Sequence, residues 1–324
     1  MIRFISVFLF LSASAFSQSV SLKWSDKVST KGLNSICGIS ANRVYTTQMT
    51  DPKSVSMRIF DEDLKLLQEE ILAVDGKNED YLMSFVSDSF FVGIKAVTPG
   101  KKVTILSFTK FPLFEKSAPV TTIAYEMKGG FRGLVFGYYS QDRSKILITN
   151  FAFKGSTQTT ERDFIVVDTK TASILHSGTM SSVGNGDQVG VSNDGLVWFS
   201  LTQNFRENGK SFGKIRFRQR TILYGAAGVL NDFYIELGGR YTPGLDLIQD
   251  ENNTLYVTGF AYEDGVDSKN LSKGELFFYR INSSDGRVID SVFSSFDGLY
   301  PEGKVKAEDR LPYSVRAIFP LKSG

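Results

Sequence analysis

Four short segments set a charged side chain among glycine, amide and aromatic residues: Asn78-Glu79-Asp80-Tyr81, Gly129-Gly130-Phe131-Arg132-Gly133, Gly184-Asn185-Gly186-Asp187-Gln188 and Arg240-Tyr241-Thr242-Pro243-Gly244-Leu245-Asp246. Glu308-Asp309-Arg310 is a shorter fifth. Polar groups converging on a concave, aromatic-walled site are what a sugar or peptide ligand needs. Asp80, Arg132, Asp187, Gln188 and Asp246 are therefore the expected ligand-binding residues. Hydrolysis of a glycosidic bond would instead need a carboxylate pair, one acid and one base or nucleophile, for which Glu79, Asp80, Asp187 and Asp246 are candidates. Such pairing is spatial, and 35 acidic residues supply candidates by chance. No catalytic residue is assigned from sequence.

Other chemistries find little to work with. A single Cys excludes an internal disulfide and a Cys-based zinc cluster. Cys37 lies in the apolar stretch Leu33-Asn34-Ser35-Ile36-Cys37-Gly38-Ile39 and reads as a buried, inert thiol. The only histidine, His176, is far from it in the chain, so a Cys–His nucleophile is not expected. Asp61-Glu62-Asp63 and Asp250-Glu251-Asn252-Asn253 lack the EF-hand pattern with its terminal Glu. Gly184-x-Gly186-x-x-x-Gly190 has the wrong spacing for a nucleotide loop, and no helix follows it. No metal and no cofactor is expected.

Charge narrows the partners. With 37 basic against 35 acidic side chains, a net charge of +2 carries no electrostatic footprint for nucleic acid. Arg216, Arg218 and Arg220 alternate, which on a strand puts all three on one face and Phe217 on the other. That pattern reads as an exposed outer strand guarded by charge, or as a dock for an acidic partner.

The elements that must carry these residues are strands. Arg43-Val44-Tyr45-Thr46-Thr47, Ser89-Phe90-Phe91-Val92-Gly93-Ile94, Lys145-Ile146-Leu147-Ile148-Thr149, Leu196-Val197-Trp198-Phe199-Ser200 and Thr254-Leu255-Tyr256-Val257-Thr258 each follow a short polar turn. The anchors of those turns, Asn42, Asp88, Asp142, Asp194 and Asp250, recur about every 50 residues, the period of a four-stranded repeat unit. A second hairpin follows each anchor. Its strands are Met57–Phe60 with Leu64–Leu67, Thr104–Phe108 leading through Thr109-Lys110, Asp163–Val167 with Ser173–Leu175, and Glu275–Tyr279 with Val288-Ile289. Lys214–Arg220 holds that place in the fourth unit as a weaker copy. Asp61–Leu72 also fits an amphipathic helix, but its match to the other hairpins favours strands.

In these features the chain resembles exported bacterial β-propeller repeat proteins, over most of its length and without a family signature such as an in-register WD dipeptide. Ser192-Asn193-Asp194-Gly195-Leu196-Val197-Trp198 is close to the Asp-box turn of sialidases, one residue short of its spacing, and reads better as a hairpin turn. The resemblance implies an all-β fold, a β-propeller of about five to six four-stranded blades. The last blade, near Tyr313–Phe319, is incomplete or closed by the N-terminal strand Val20–Trp24. The four charged segments would then precede the innermost strands and open onto one face.

The N-terminus carries an address. Met1-Ile2-Arg3, the apolar run Phe4–Leu11 and the small residues Ser12–Ser17 form a signal-peptide pattern with cleavage before Gln18. The apolar stretch is too short for a bilayer, which needs roughly 20 residues. Residues 1–17 are thus expected to be a signal peptide and 18–324 one propeller domain, periplasmic or extracellular, with no membrane insertion. The expected function is non-catalytic binding of a protein, peptide or glycan. A glycan-cleaving hydrolase is the alternative, and a structural subunit of an envelope assembly the third reading, because propellers host all three roles.

Overall fold

The computed structural model describes residues 33–295, apart from the connecting segments 52–53, 74–78, 100–102, 115–117, 129–134, 151–158, 207–214, 251–253, 262–274 and 283–286, residue 184 and most of 236–244. The described residues form five four-stranded antiparallel sheets, each a meander in chain order. The first holds β1 (Leu33–Ser40), β2 (Arg43–Asp51), β3 (Ser54–Phe60) and β4 (Leu66–Ala73), and the second β5 (Glu79–Val86), β6 (Phe90–Val97), β7 (Val103–Pro112) and β8 (Val120–Lys128). The third holds β9 (Val135–Tyr139), β10 (Lys145–Asn150), β11 (Thr159–Asp168) and β12 (Ser173–Val183). The fourth holds β13 (Asn185–Val191), β14 (Val197–Arg206), β15 (Ile215–Gly225) and β16 (Gly228–Ile235). The fifth holds β17 (Leu245–Gln249), β18 (Thr254–Ala261), β19 (Glu275–Asn282) and β20 (Val288–Ser295). The leading strands pack in sequence, β1 on β5, β5 on β9, β9 on β13 and β13 on β17. Five blades arranged around their first strands make a β-propeller of about five blades.

The repeated polar anchors are the turns that leave the innermost strands. In the first sheet the turn has two residues, Ala41 (φ 48°) and Asn42 (φ 57°), both in the left-handed region that a tight hairpin demands. In the next three a buried serine organises the turn. The hydroxyl oxygens of Ser87, Ser140 and Ser192 accept the backbone N–H of Phe90 (2.9 Å), Lys145 (2.9 Å) and Leu196 (2.8 Å). Asp250 does the same for Thr254 at 2.9 Å in the fifth. Each bond satisfies a backbone donor that the ladder leaves unpaired.

Four apolar cores lie between successive sheets. Cys37, Tyr45, Met57 and Phe91 meet between the first and second, and Ile94, Leu106, Ile146 and Ile165 between the second and third. Phe164 centres the next, with ring centroids 5.6 Å from Phe199 and 5.3 Å from Tyr224. Trp198, Leu255, Val257 and Phe277 fill the last. Each fully buried aliphatic or aromatic side chain contributes roughly 1.5–3 kcal/mol, so most of the stability resides in these sandwiched faces.

Three local expectations change. Thr109-Lys110 is no turn: β7 runs on to Pro112 because its ladder with β6 extends to the pair Phe90–Pro112. The strand bearing Arg216, Arg218 and Arg220 is not an outer one. It lies third in its sheet, and β16 pairs along it from Gln219 to Gly225, returning through Gly228 (φ 112°). Arg220 there donates from Nε to Asp232 at 2.8 Å, so this charge has a partner within its own sheet. The segment Asp61–Leu72 contains a turn and most of strand β4 and no helix. Residues 1–17, Val20–Trp24 and Tyr313–Phe319 lie outside the described residues. Among the described residues no helix is long and apolar enough to cross a membrane.

Candidate functional site

The expected ligand residues fall at the starts of inner strands or just outside the described region. Asp80 is the second residue of β5 and exposed, across the ladder from Ala96. Asp187 and Gln188 are in β13, at an irregularity where the register shifts between Gly186 and Gln188. Asp246 is the second residue of β17, opposite Thr258. Arg132 lies outside the described residues. The other inner strands β1 and β5 shift register too, between Ile36 and Gly38 and between Tyr81 and Met83. Such bulges bend a strand and re-aim its side chains.

Close approach of the inner strands depends on small residues. A Cβ on Gly38 of β1 would stand 2.9 Å from the Val86 Cβ of β5, and one on Gly137 of β9 would stand 2.3 Å from the Met83 sulfur. Around this narrowed axis two clefts open. The first, about 460 Å³, lies among β1, β5 and β9 and takes in Thr47, Tyr81, Ser84, Tyr139 and Arg143. The second, about 540 Å³, lies among β9, β13 and β17 and is walled by Tyr138, Tyr139, Trp198 and Asp246. A larger hollow of about 670 Å³ lies off the axis between the first two sheets. Tyr45, Met57, Ile59 and Phe91 form its floor, the open end of an apolar core, and Arg43, Gln68 and Glu70 line it as well.

The first cleft is held by hydrogen bonds that cross blades. The Tyr139 hydroxyl donates to the Ser84 carbonyl at 2.7 Å, joining β9 to β5. Tyr81 and Ser84 share a hydrogen bond between their hydroxyls. Burial pushes both tyrosine hydroxyls well above their ordinary range, although the Ser84 bond pulls Tyr81 back, so both remain protonated donors at any physiological pH. The Arg143 guanidinium stands over the Tyr139 ring, 5.3 Å from its centroid, and one of its nitrogens lies 3.5 Å from the Ile36 carbonyl. That places a cation from the third blade against the first strand of the first.

The second cleft is defined by Asp246. Its carboxyl is half-buried, one of its oxygens has no hydrogen-bond partner, and desolvation raises its pKa. Gln188, on the adjacent inner strand, likewise keeps its carbonyl oxygen without a partner. Of the five expected ligand residues, then, Asp246 lines an axial cleft, Gln188 stands on the neighbouring strand, and Asp80 lines neither. Among the described residues lining the two clefts, Asp246 is the one carboxylate. Among the described residues no group of three or more His, Cys, Asp or Glu is placed to hold a metal.

Sequence reasoning passed over Tyr139, Ser84 and Arg143. Tyr139 and Ser84 sit within ordinary strand patterns, and no local signal separates them from core residues. Arg143 did carry one: it follows the anchor Asp142, where the fourth blade has Gly195.

No known protein family model matches the chain, and no curated protein resembles it in sequence. Solved structures match it at low similarity. The endo-arabinanase of glycoside hydrolase family 43 from Bacillus licheniformis is 10% identical over 80% of this chain and 97% of that one, with a TM-score of 0.34. The β-propeller domain of the Trilobed protease from Pyrococcus furiosus is 12% identical over 77% and 68%, with a TM-score of 0.39. Prolyl oligopeptidase B from Galerina marginata is 11% identical over 83% of this chain but only 34% of its own, with a TM-score of 0.38. At these identities and scores the function has to be read from the chain's own residues.

Proposed function

We propose that the protein is an exported, non-catalytic binding module that takes a protein, peptide or glycan segment into the axial clefts of its propeller. One observation carries this reading: the cleft walls combine tyrosine rings, hydroxyls, a cation and apolar side chains, with a single carboxylate among the described lining residues. Such a mixture suits recognition, in which a few placed polar groups orient a ligand held mainly by apolar contact. Export rests on the pattern of residues 1–17. Peptide and glycan arrays probed with the wild-type chain and with Ser35→Trp test the binding. Ser35 is an exposed residue lining the first cleft, so an indole there fills the space without disturbing a core. Ligands retained by the wild type and lost by the variant, and recovered uncleaved, are the expected result. Equal retention by both would remove the first cleft as the binding site and leave the second, walled by Trp198 and Asp246, to carry the reading.

A hydrolytic reading is favoured by one specific feature, the raised carboxyl of Asp246, which suits a general acid. It requires a second carboxylate roughly 5–9.5 Å away. Release of product from chromogenic glycosides, abolished in Asp246→Asn, would establish it over the binding reading.

A further inference from the structure

Arg143 breaks a local rule that its sister turn keeps. The Gly195 N–H donates to the Ser192 carbonyl at 3.1 Å, and the Arg143 N–H donates to the Ser140 carbonyl at 3.0 Å, so the two residues hold the same station in successive blades. Both have positive φ, 91° for Gly195 and 60° for Arg143. Glycine adopts that conformation without penalty, whereas a long L side chain is strained there. The turn does not need the Arg143 side chain to hold its shape. Asp142 N–H donates to the Asn193 side-chain oxygen at 3.1 Å, and the Ser144 hydroxyl donates to the Asn193 carbonyl at 3.2 Å. Strain that local structure does not require points to a role for the side chain itself.

That side chain meets a cleft without countercharge. Among the described residues no carboxylate lies within ion-pair distance of Arg143, and none lines the first axial cleft. Four of the cleft's hydroxyls are engaged already. Tyr139 donates to Ser84, Tyr81 pairs with the Ser84 hydroxyl, and Thr47 pairs with the Cys37 thiol at 3.6 Å. The rest of the wall is apolar, chiefly Ile36, Met49, Leu82 and Met83. A sugar would need several free polar partners, and this wall offers few. An apolar side chain beside a carboxylate fits both halves of the site.

We propose that the first axial cleft binds an acidic peptide segment, Arg143 taking a carboxylate while an adjacent apolar side chain packs on Met49 and Met83. This rests on the reading of the axis as a ligand site and names the class of ligand for one end of it. Guanidinium–carboxylate pairing over an aromatic ring is geometrically specific and stronger than a neutral hydrogen bond.

The test labels the methionine methyls of the full chain with carbon-13 and follows them by NMR. The probes are N-acetyl-Leu-Asp, its fully amidated analogue N-acetyl-Leu-Asn-amide, and a glucuronic acid disaccharide. Met57, in the core between the first two sheets, is the internal control. The acidic dipeptide is expected to move the Met49 and Met83 signals and leave Met57 still. Amidation, or Arg143→Gly, is expected to weaken that binding by about tenfold or more, the value of a charged hydrogen bond. Arg143→Gly should also melt at or above the wild-type temperature, because glycine relaxes the turn. A lower melting temperature would make Arg143 a structural residue and overturn the proposal. Equal binding of the amidated analogue, or of the wild type and Arg143→Gly, would overturn it while leaving the axis as a ligand site. Tighter binding of the disaccharide would overturn the peptide assignment. If none of the three probes moves Met49 or Met83 the proposal falls, and the array result with Ser35→Trp then decides separately whether the first cleft is a ligand site.

Discussion

The carboxylate of Asp163, in β11, accepts the backbone N–H of Lys128, the last residue of β8, and so joins the third blade to the edge of the second. Its other oxygen accepts the Thr179 hydroxyl at 2.6 Å. Asn150 closes the knot, accepting the Asp163 N–H at 3.0 Å and donating to the Lys128 carbonyl at 3.3 Å. Removing this buried carboxylate orphans two donors at once. Asp163→Ala is expected to lose about 2–4 kcal/mol, each charged hydrogen bond contributing ~1.5–3 kcal/mol less what water recovers. Asp163→Asn should recover only part, since its amide presents a donor to one of the two donors it must satisfy. Urea midpoints at constant slope measure both.

The serine turns make a second, smaller prediction. Ser87→Ala, Ser140→Ala and Ser192→Ala should each destabilise by about 0.5–1.5 kcal/mol, the net value of one hydrogen bond. The Ser140 and Ser192 turns are joined through Asn193, which accepts the Asp142 N–H at 3.1 Å and the Ser144 hydroxyl at 3.2 Å, so those two substitutions should couple, whereas Ser87→Ala should add to either of them to within about 0.5 kcal/mol. A triple variant no less stable than a single one would show that the turns are held by the ladders alone.

Asp246 sets a pH dependence of definite sign. Burial raises its carboxyl, so the folded state binds the proton more tightly than the unfolded chain does. Its contribution to stability is therefore most favourable below the ordinary carboxylate range. It declines as pH rises from that range through the raised value, and the penalty is complete above it. Asp246→Asn should accordingly be more stable than the wild type at pH 7, with the difference vanishing in acid. Asp168 has the opposite sign. Burial would raise it, but hydrogen bonds from Thr171 and Lys145 and the Lys145 charge together hold it below its usual value. Its stabilisation is present above the ordinary carboxylate range and lost as pH falls through the lowered value, so Asp168→Asn should be less stable than the wild type at neutral pH and converge on it in acid.

Cys37 should be silent in the native protein. Desolvation pushes its thiol up to about 11, against the opposing bonds to Thr47, and only 8% of the residue is exposed. At pH 8 an aromatic disulfide reagent should label it only when denaturant opens the core between the first two sheets. Rapid stoichiometric labelling of folded protein would contradict the packing described for that core.

Gly178→Ala tests the aromatic centre of the third core. A Cβ there would stand 2.7 Å from the Phe164 ring, which is itself wedged between Phe199 and Tyr224. Overpacking of this kind should destabilise by about 1–3 kcal/mol, read as a lowered melting temperature.

Much of the architecture was legible in local pattern. The anchors Asn42, Asp88, Asp142, Asp194 and Asp250 mark every turn out of an inner strand, because such a turn requires short polar side chains that can bond their own backbone. The period between them therefore reports the blade. Pattern failed where a decision belonged to the partner strand. Thr109-Lys110 looks like a turn, yet the ladder with β6 carries the chain through it. The arginine run looked like an outer strand, but it begins the third strand of its sheet, which β16 pairs from Gln219 onward, and Gly228 makes the return without any polar cluster to announce it.

What the sequence determined by itself was periodicity: strand, turn and unit length, each set by side chains a few residues apart. The axial clefts were decided only by the tertiary structure. Tyr81, Tyr139 and Arg143 lie in two different blades, and Ile36 in a third. They meet because Gly38 and Gly137 let successive inner strands approach to contact distance. Of the residues expected from their polar neighbourhoods, Asp246 reaches a cleft and Asp80 does not. Both start an inner strand, and which side chain turns inward is set by the bulges and by the packing of one blade on the next. Neither is a property of any stretch of chain alone.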